Sequence, residues 1–226
     1  MSLRLRSLPL LFLLVLLGSA TMASAAPRDV QIVAIDFDTQ VIELFNFGAT
    51  TEPLDGWRFC SHDASFVRRY SSSTALNGLS IAPGESLFIH LNNDSGGASG
   101  SIDRPSGGWA LPMDQDAYGL QLYFPPVSFG NGATIADHLQ WSLGGVDNAT
   151  ADERSDEAEA GGVWTDQDLW ISTVDDAGFL MLDEAANGLV LHGPDDYTVP
   201  EPGFSLALVS GLAWASVLGR RRRPVA

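Results

Sequence analysis

The chain contains no lysine, and this absence shapes its charge. Of its 226 residues, 28 are acidic and 12 are arginines. Arg4, Arg6 and the run Arg220–Arg223 lie at the two ends, which leaves six arginines against 28 carboxylates between them, a net charge of −22. Nucleic-acid affinity comes largely from Lys and Arg neutralising phosphates, and anionic membrane surfaces attract basic segments. We therefore expect no nucleic-acid partner; solubility, calcium or basic partners fit this charge better.

Cysteine is almost absent as well. Cys60 is the single cysteine, so no intrachain disulfide can form and the fold must depend on its core. We interpret Cys60 as a small, partly buried hydrophobic residue. His62 lies two positions further and shares only a strand face with it, whereas an activated nucleophile needs a hydrogen-bonded base. The sequence predicts no catalytic residue.

Recognisable metal-binding motifs are lacking. None of the four histidines belongs to an H-x-x-x-H pair, and no G-x-S-x-G elbow occurs. Asp137 and His138 are neighbours whose side chains would point to opposite faces of a strand, so we do not pair them. Asp114 and Asp116 begin a D-x-D-x-x-G pattern, but Pro125 stands where a calcium loop requires a bidentate Glu. We predict no cofactor and keep Asp114 and Asp116 as calcium candidates.

No apolar run is as long as a membrane span, but the N-terminal run has the parts of a secretory signal. Arg4 and Arg6 precede the apolar run Leu8–Leu17, and Ala23-Ser24-Ala25 supplies a small-x-small cleavage site. A membrane span needs about 20 residues, and this run is shorter. We expect a signal helix over residues 1–26 that signal peptidase removes.

The rest of the sequence is rich in strand and turn signals. The segments Val30–Asp38 and Gln40–Gly48 are β-branched and aromatic, and the short connection between them predicts a hairpin. Both faces of the second segment are largely apolar, which predicts an inner strand covered on both sides. Trp57 and Phe59 alternate onto one face, and Ala82–Glu85 predicts a type II turn.

Two polar stretches interrupt this pattern. Asn92–Gly108 is rich in Gly, Ser and Asp, and we predict an exposed loop. Asn148–Gly162 is charged, and we predict a flexible insertion with a short helical turn and a solvated acidic face. Strands of this length and spacing are typical of an all-β sandwich or barrel.

The segment 30–91 resembles the beginning of a lamin-tail domain. The matching elements, in order, are VIELFNFG, LDGWRF and LSIAPGESLFI. The resemblance implies an immunoglobulin-like β-sandwich over residues 28–198, with insertions at 92–108 and 148–162. It assigns Asn46, Gly48, Trp57, Pro83 and Gly84 to the fold; Asn46 and Gly48 would end a strand by side-chain bonding and a positive φ.

The C-terminal residues resemble a PEP-CTERM sorting signal. The motif is Val199-Pro200-Glu201-Pro202-Gly203, followed by a short apolar helix over 204–219 and then Arg220, Arg221, Arg222 and Arg223. The resemblance implies cleavage near the motif by an exosortase-type membrane protease. The apolar residues Phe204–Leu218 would span about 22 Å as a helix, less than the ~30 Å hydrocarbon core. The arginines would hold the tail on the cytoplasmic side. The open alternative is a permanent anchor.

The sequence leaves several functions open. We favour a non-enzymatic module, exported through the inner membrane to the outer envelope or the extracellular matrix, that binds extracellular polysaccharide or envelope proteins. Aromatic residues near loops are candidates for stacking on sugars: Trp109, Trp164 and Trp170. The alternatives are a secreted hydrolase with a site built from loops and a calcium-stabilised adhesive module.

Overall fold

The computed structural model describes residues 27–65, 67–103, 113, 116–148, 151 and 154–200. Its strands are β1 (Val30–Asp36), β2 (Val41–Asn46), β3 (Glu52–Pro53), β4 (Arg58–Asp63), β5 (Arg68–Tyr70), β6 (Ser80–Ile81), β7 (Ser86–His90), β8 (Ser101–Asp103), β9 (Ala117–Tyr123), β10 (Ile135–Leu143), β11 (Ile171–Thr173), β12 (Phe179–Leu182) and β13 (Tyr197–Thr198). Within the described part, the one α-helix is α1 (Ser155–Ala160). Short 3-10 turns lie at Pro27–Asp29, Gly132–Thr134, Glu184–Ala186 and Pro194–Asp196.

The strands form three sheets. The six-stranded sheet has the order β13-β12-β1-β2-β7-β8, and the five-stranded sheet has the order β11-β10-β9-β4-β5; β3 and β6 pair separately. Neighbours are antiparallel except for β7 with β8 and β10 with β11. The prediction of an all-β protein is therefore confirmed.

The predicted hairpin forms between β1 and β2, which pair antiparallel. Ile42, Leu44 and Asn46 of β2 are buried, while Val41, Glu43 and Phe45 on its other face are only half-buried. The expectation that both faces of this strand are covered is therefore wrong. Strands β9 and β10 have both faces buried instead.

Asn46 fastens the end of β2 to the turn before β7. Its amide group donates to the carbonyls of Thr50 and Ile81, at 2.8 Å each, and its Oδ1 accepts from the N–H of Gly48 at 2.8 Å. The φ of Gly48 is not in the left-handed region, so the predicted reason for this glycine is wrong. Glycine is required because a Cβ would lie 2.6 Å from the carboxylate of Asp29.

The predicted type II turn is present between β6 and β7. Gly84 has a φ of +69°, and the N–H of Glu85 donates to the carbonyl of Ala82 at 3.1 Å. A positive φ at the third position of a turn is what defines type II geometry and favours glycine. Glycine is therefore required here by conformation.

The two large sheets contribute to one hydrophobic core. Phe37, which follows β1, contacts Trp141 of β10 with ring centroids 5.5 Å apart. Trp57 and Phe59 are both buried, as their alternation predicted. Asp137 of β10 accepts from the N–H of Ile32 in β1 at 2.7 Å, so a carboxylate also bridges the sheets.

Parts of the two polar stretches form regular structure. Ser101–Asp103, inside the expected loop, forms β8 and extends the six-stranded sheet beside β7. The expected helical turn in the second stretch is α1, which buries Ser155 and Ala158 and leaves Asp156 exposed. We call residues 154–170 the covering segment, because they lie against the five-stranded sheet and bury its polar face.

Candidate functional site

Two of the predicted sugar-stacking residues are buried. Trp164 is 0% exposed and Trp170 is 4% exposed. The indole N–H of Trp164 donates to the carbonyl of Leu169 at 3.0 Å, and its ring contacts His138 edge-on. The expectation that these rings face solvent is wrong, because the covering segment turns them onto the sheet. Trp109 lies outside the described residues.

A row of polar side chains lies beneath the covering segment. Gln121 of β9 is opposite His138 of β10 in the sheet register, and Gln140 follows His138 on the same face. The amide of Gln140 donates to the carbonyls of Gln167 and Leu169, at 2.7 and 2.8 Å, and its Oε1 accepts from the hydroxyl of Ser155. Gln140 therefore ties the covering segment to β10 at both ends.

The bonds of His138 specify its tautomer. The amide nitrogen Nε2 of Gln121 can only donate, so His138 Nδ1 accepts this bond at 3.0 Å. His138 Nε2 consequently carries the proton and donates to Gln140 Oε1 at 2.9 Å. Burial lowers the pKa of His138 to about 4, against smaller opposing effects of Gln140 and Asp137. The ring is thus neutral at neutral pH, with both nitrogens occupied and neither available to a metal.

Asp137 pairs with a histidine that sequence adjacency did not indicate. His192 Nδ1 lies 3.3 Å from Asp137 Oδ1 and 3.3 Å from the Tyr197 hydroxyl. Burial lowers the pKa of His192, but the hydrogen bond and charge of Asp137, with the charge of Asp196, outweigh it and leave that pKa raised. We call Asp137, His192 and Tyr197 the histidine clasp; it holds the segment that enters β13.

Both polar groups are closed to solvent. Asp137, His138, Gln140 and His192 are all buried. Cys60 is buried in the main core, and His62 is buried on the same strand. Chemistry on a soluble substrate requires access to the reacting atoms, so these groups act within the fold as it stands. The clasp joins residues 55 positions apart, and no local motif signals such a pairing.

The calcium candidates are only partly described. Asp114 lies outside the described residues. Asp116 is exposed, and its backbone carbonyl accepts from the N–H of Leu143 at 2.9 Å. Over the described ranges, no three His, Cys, Asp or Glu side chains converge in a way that could hold a metal ion.

The sorting motif begins where the described fold ends. β13 pairs with β12 at the edge of the six-stranded sheet, and Val199 packs against the core. Pro200 is the last described residue. The other predicted targeting features lie outside the described residues. They are the signal over 1–26, Glu201, Pro202, Gly203, the apolar segment and Arg220–Arg223. Among the residues described, no helix has the length and apolarity to cross a membrane.

An apolar patch lies on the half-exposed face of the six-stranded sheet. Leu189, Val190 and Leu191 are consecutive and are 50, 40 and 49% exposed. The turn that carries them lies against β1 and the residue after β2: the Leu189 carbonyl accepts from Gln31, and Gly188 lies against Phe47. The rings of Phe45 and Phe47 lie 4.4 Å apart between centroids. We call these residues the Leu189 patch: Phe45, Phe47, Leu189, Val190 and Leu191.

Acidic side chains lie near the Phe45 and Phe47 side of the Leu189 patch. Glu43 shares the face of Phe45 on β2, and burial raises the pKa of Glu43 against the opposing effect of the Ser86 hydroxyl. The pKa of Glu52 is raised by burial and by the charge of Asp29, the residue that contacts Gly48. The sequence did not predict this patch, because a short apolar run such as Leu189–Leu191 is equally typical of a buried strand.

No protein-family model matches the chain, and no curated protein matches it either.

Proposed function

We propose that this chain is an exported, non-enzymatic protein of the bacterial outer envelope or extracellular matrix. Its body is a lamin-tail-like, immunoglobulin-like β-sandwich that serves as a binding or structural module. Signal peptidase removes residues 1–26, and an exosortase-type protease cuts near the motif at 199–203 after transient insertion of the C-terminal segment in the inner membrane. Extracellular polysaccharide or other envelope proteins are its partners.

The observation that carries the sorting proposal is the position of the motif directly after the last described strand, β13. Tyr197 is anchored by the histidine clasp and by pairing of β13 with β12. Pro200 lies two residues after the end of β13, and Pro202 lies two residues after Pro200. Because proline lacks a backbone N–H, neither residue can donate to a strand ladder. A recognition peptide in this position leaves the folded body intact when it is cut.

The sandwich proposal rests on the shared core and on the motif residues. Two sheets face one core through Phe37 and Trp141. Asn46 and Gly84, assigned to the fold by the resemblance, end β2 and form the turn before β7. The buried state of the polar rows favours a binding or structural role over the hydrolase alternative.

The motif can be tested by substitution in the exporting bacterium. We expect Pro200→Ala with Pro202→Ala to leave a longer, membrane-retained form, because the extended recognition peptide is lost. Thr198→Ala is the matched control, since Thr198 is exposed and adjacent. Normal release of the double variant, measured by fractionation and immunoblotting, would refute the assigned motif.

A further inference from the structure

The Leu189 patch lacks a basic counterpart among the described residues. The described arginines bond elsewhere: Arg28 to the carbonyls of Ile135 and Gly132, Arg58 to the carbonyl of Ser71, Arg68 to the Tyr70 hydroxyl, Arg69 to Asp63 and Arg154 to Glu157. An apolar surface with acidic neighbours is complementary to a segment that combines apolar and basic side chains. Contiguous exposed apolar residues commonly mark an interaction site.

Two segments of this chain combine apolar and basic side chains: residues 1–26, where Arg4 and Arg6 precede Leu8–Leu17, and the C-terminal tail. The tail is the better match, because it has four consecutive arginines against two and, under the proposed function, it outlasts the signal. Phe204–Leu218 is apolar, and Arg220–Arg223 follows it immediately. This segment starts four residues beyond Pro200, and β13, two residues before Pro200, is the edge strand of the sheet that carries the Leu189 patch. The order β13-β12-β1-β2 puts β2 three strand spacings from that edge, about 14 Å. Fifteen residues cover such a distance even as a helix, at about 22 Å.

We propose that, in the unprocessed chain in water, the segment 204–223 docks on the Leu189 patch of its own body. Apolar side chains of Phe204–Leu218 cover Leu189, Val190 and Leu191, and the arginines lie near acidic side chains such as Glu43 and Glu52. Docking shields the segment from water and from other copies until it inserts into a membrane or is cleaved by a protease.

A second copy of the body is a poorer occupant than the tail. The part between the terminal arginine groups carries a net charge of −22, so two bodies repel each other. The tail brings four positive charges together with its apolar side chains. The proposal goes beyond sorting, because docking needs no cleavage and is measured on the intact chain.

Photo-crosslinking of the purified full chain in detergent-free buffer tests this proposal. A photoreactive phenylalanine analogue replaces Val190, which is 40% exposed, so we expect the substitution to cost little stability. The matched control carries the analogue at Val146, an exposed apolar residue in the turn after β10 of the other large sheet. We expect peptide mapping to find products that join position 190 to residues 204–223, and no such products from position 146.

Two further measurements keep the result decisive. Mixing isotopically labelled and unlabelled chains separates products within one chain from products between chains. Replacing Arg220–Arg223 by Gln, or adding 1 M NaCl with its Debye length of ~3 Å, is expected to lower the yield several-fold. Products between chains only, equal yields at positions 190 and 146, or no tail product would overturn the proposal. None of these outcomes bears on whether exporting cells cleave the tail, so docking and sorting fail separately.

Discussion

At the scale of single residues, the structure explains why the motif has an asparagine at position 46. The resemblance assigned it to the end of a strand, and its side chain there bonds to Thr50, Ile81 and Gly48. Gly48 was expected for a different reason from the one found, because sequence alone cannot show that Asp29 occupies the space beside it. Pairs distant in sequence, such as Asp137 with His192, were equally invisible to local pattern.

Replacing Asn46 by Ala tests the role of its side chain. We expect the free energy of unfolding to fall by about 2–4 kcal/mol, because the buried Ile81 carbonyl and the Thr50 carbonyl lose their donor and the Gly48 N–H loses its acceptor. Urea denaturation measures this loss. Asn77→Ala is the matched control: Asn77 is exposed and accepts one bond from Gly56, so its loss should be about 0.5–1 kcal/mol. Equal losses in the two variants would contradict this role.

His138 is expected to make stability depend on pH on the acid side. Its pKa is lowered from 6.5 to about 4 in the folded state, so the unfolded chain binds the proton more tightly. Stability is therefore complete above pH 6.5 and falls as the pH decreases towards 4, by about 3 kcal/mol from this group. Chemical denaturation of His138→Gln and wild type across this range should show a steeper loss of stability towards pH 4 in wild type. A His138 ring proton that titrates by NMR near pH 6.5 would contradict the assignment.

His192 is expected to act in the opposite direction. Its pKa is raised above 6.5 in the folded state, so its contribution is complete below the unfolded pKa and is lost as the pH rises through the folded value. His192→Asn should therefore lose more stability relative to wild type at pH 6 than at alkaline pH. A stability difference that is the same at both pH values would show that the clasp is not ionic.

At the scale of elements, the covering segment determines which strands of the five-stranded sheet are buried on both faces. The sequence of β10 alternates polar and apolar residues, which is typical of a strand with one wet face. Its polar residues are nevertheless buried, because α1 and the segment after it lie on that face and Gln140 bonds to them. The hairpin, the type II turn and Trp57 could be predicted since their signals are local. Trp164 and Trp170 could not, because their burial depends on a segment whose composition resembles a loop.

The close approach of Gly132 to Gly161 holds the covering segment in place. A Cβ at Gly132 would overlap the Glu157 carbonyl and lie 2.8 Å from the Gly161 nitrogen. We expect Gly132→Ala to destabilise the protein by about 3 kcal/mol or more through overpacking, and to speed amide exchange in α1 before β1. Gly130→Ala is the matched control, since its Cβ would meet open space. Equal exchange in α1 of both variants would contradict this account.

At the scale of the whole molecule, charge and the described side chains bear on the adhesive alternative. The body is strongly acidic, yet the described residues provide no converging metal ligands. We expect calcium or a chelator to leave the thermal midpoint unchanged at physiological ionic strength, because an exposed acidic face binds ions without ordering the fold. A calcium-dependent rise in Tm, measured by calorimetry and absent with matched magnesium, would support the adhesive alternative instead.

The central claim is that the folded body is exported and separated from the apolar, arginine-ended tail. Intact-mass measurement of the protein recovered from the envelope and the medium of the exporting bacterium tests it most directly. We predict a mass that lacks residues 1–26 and ends near the motif at 199–203. A mature form that retains Phe204–Ala226 would contradict the claim and identify the tail as a permanent anchor.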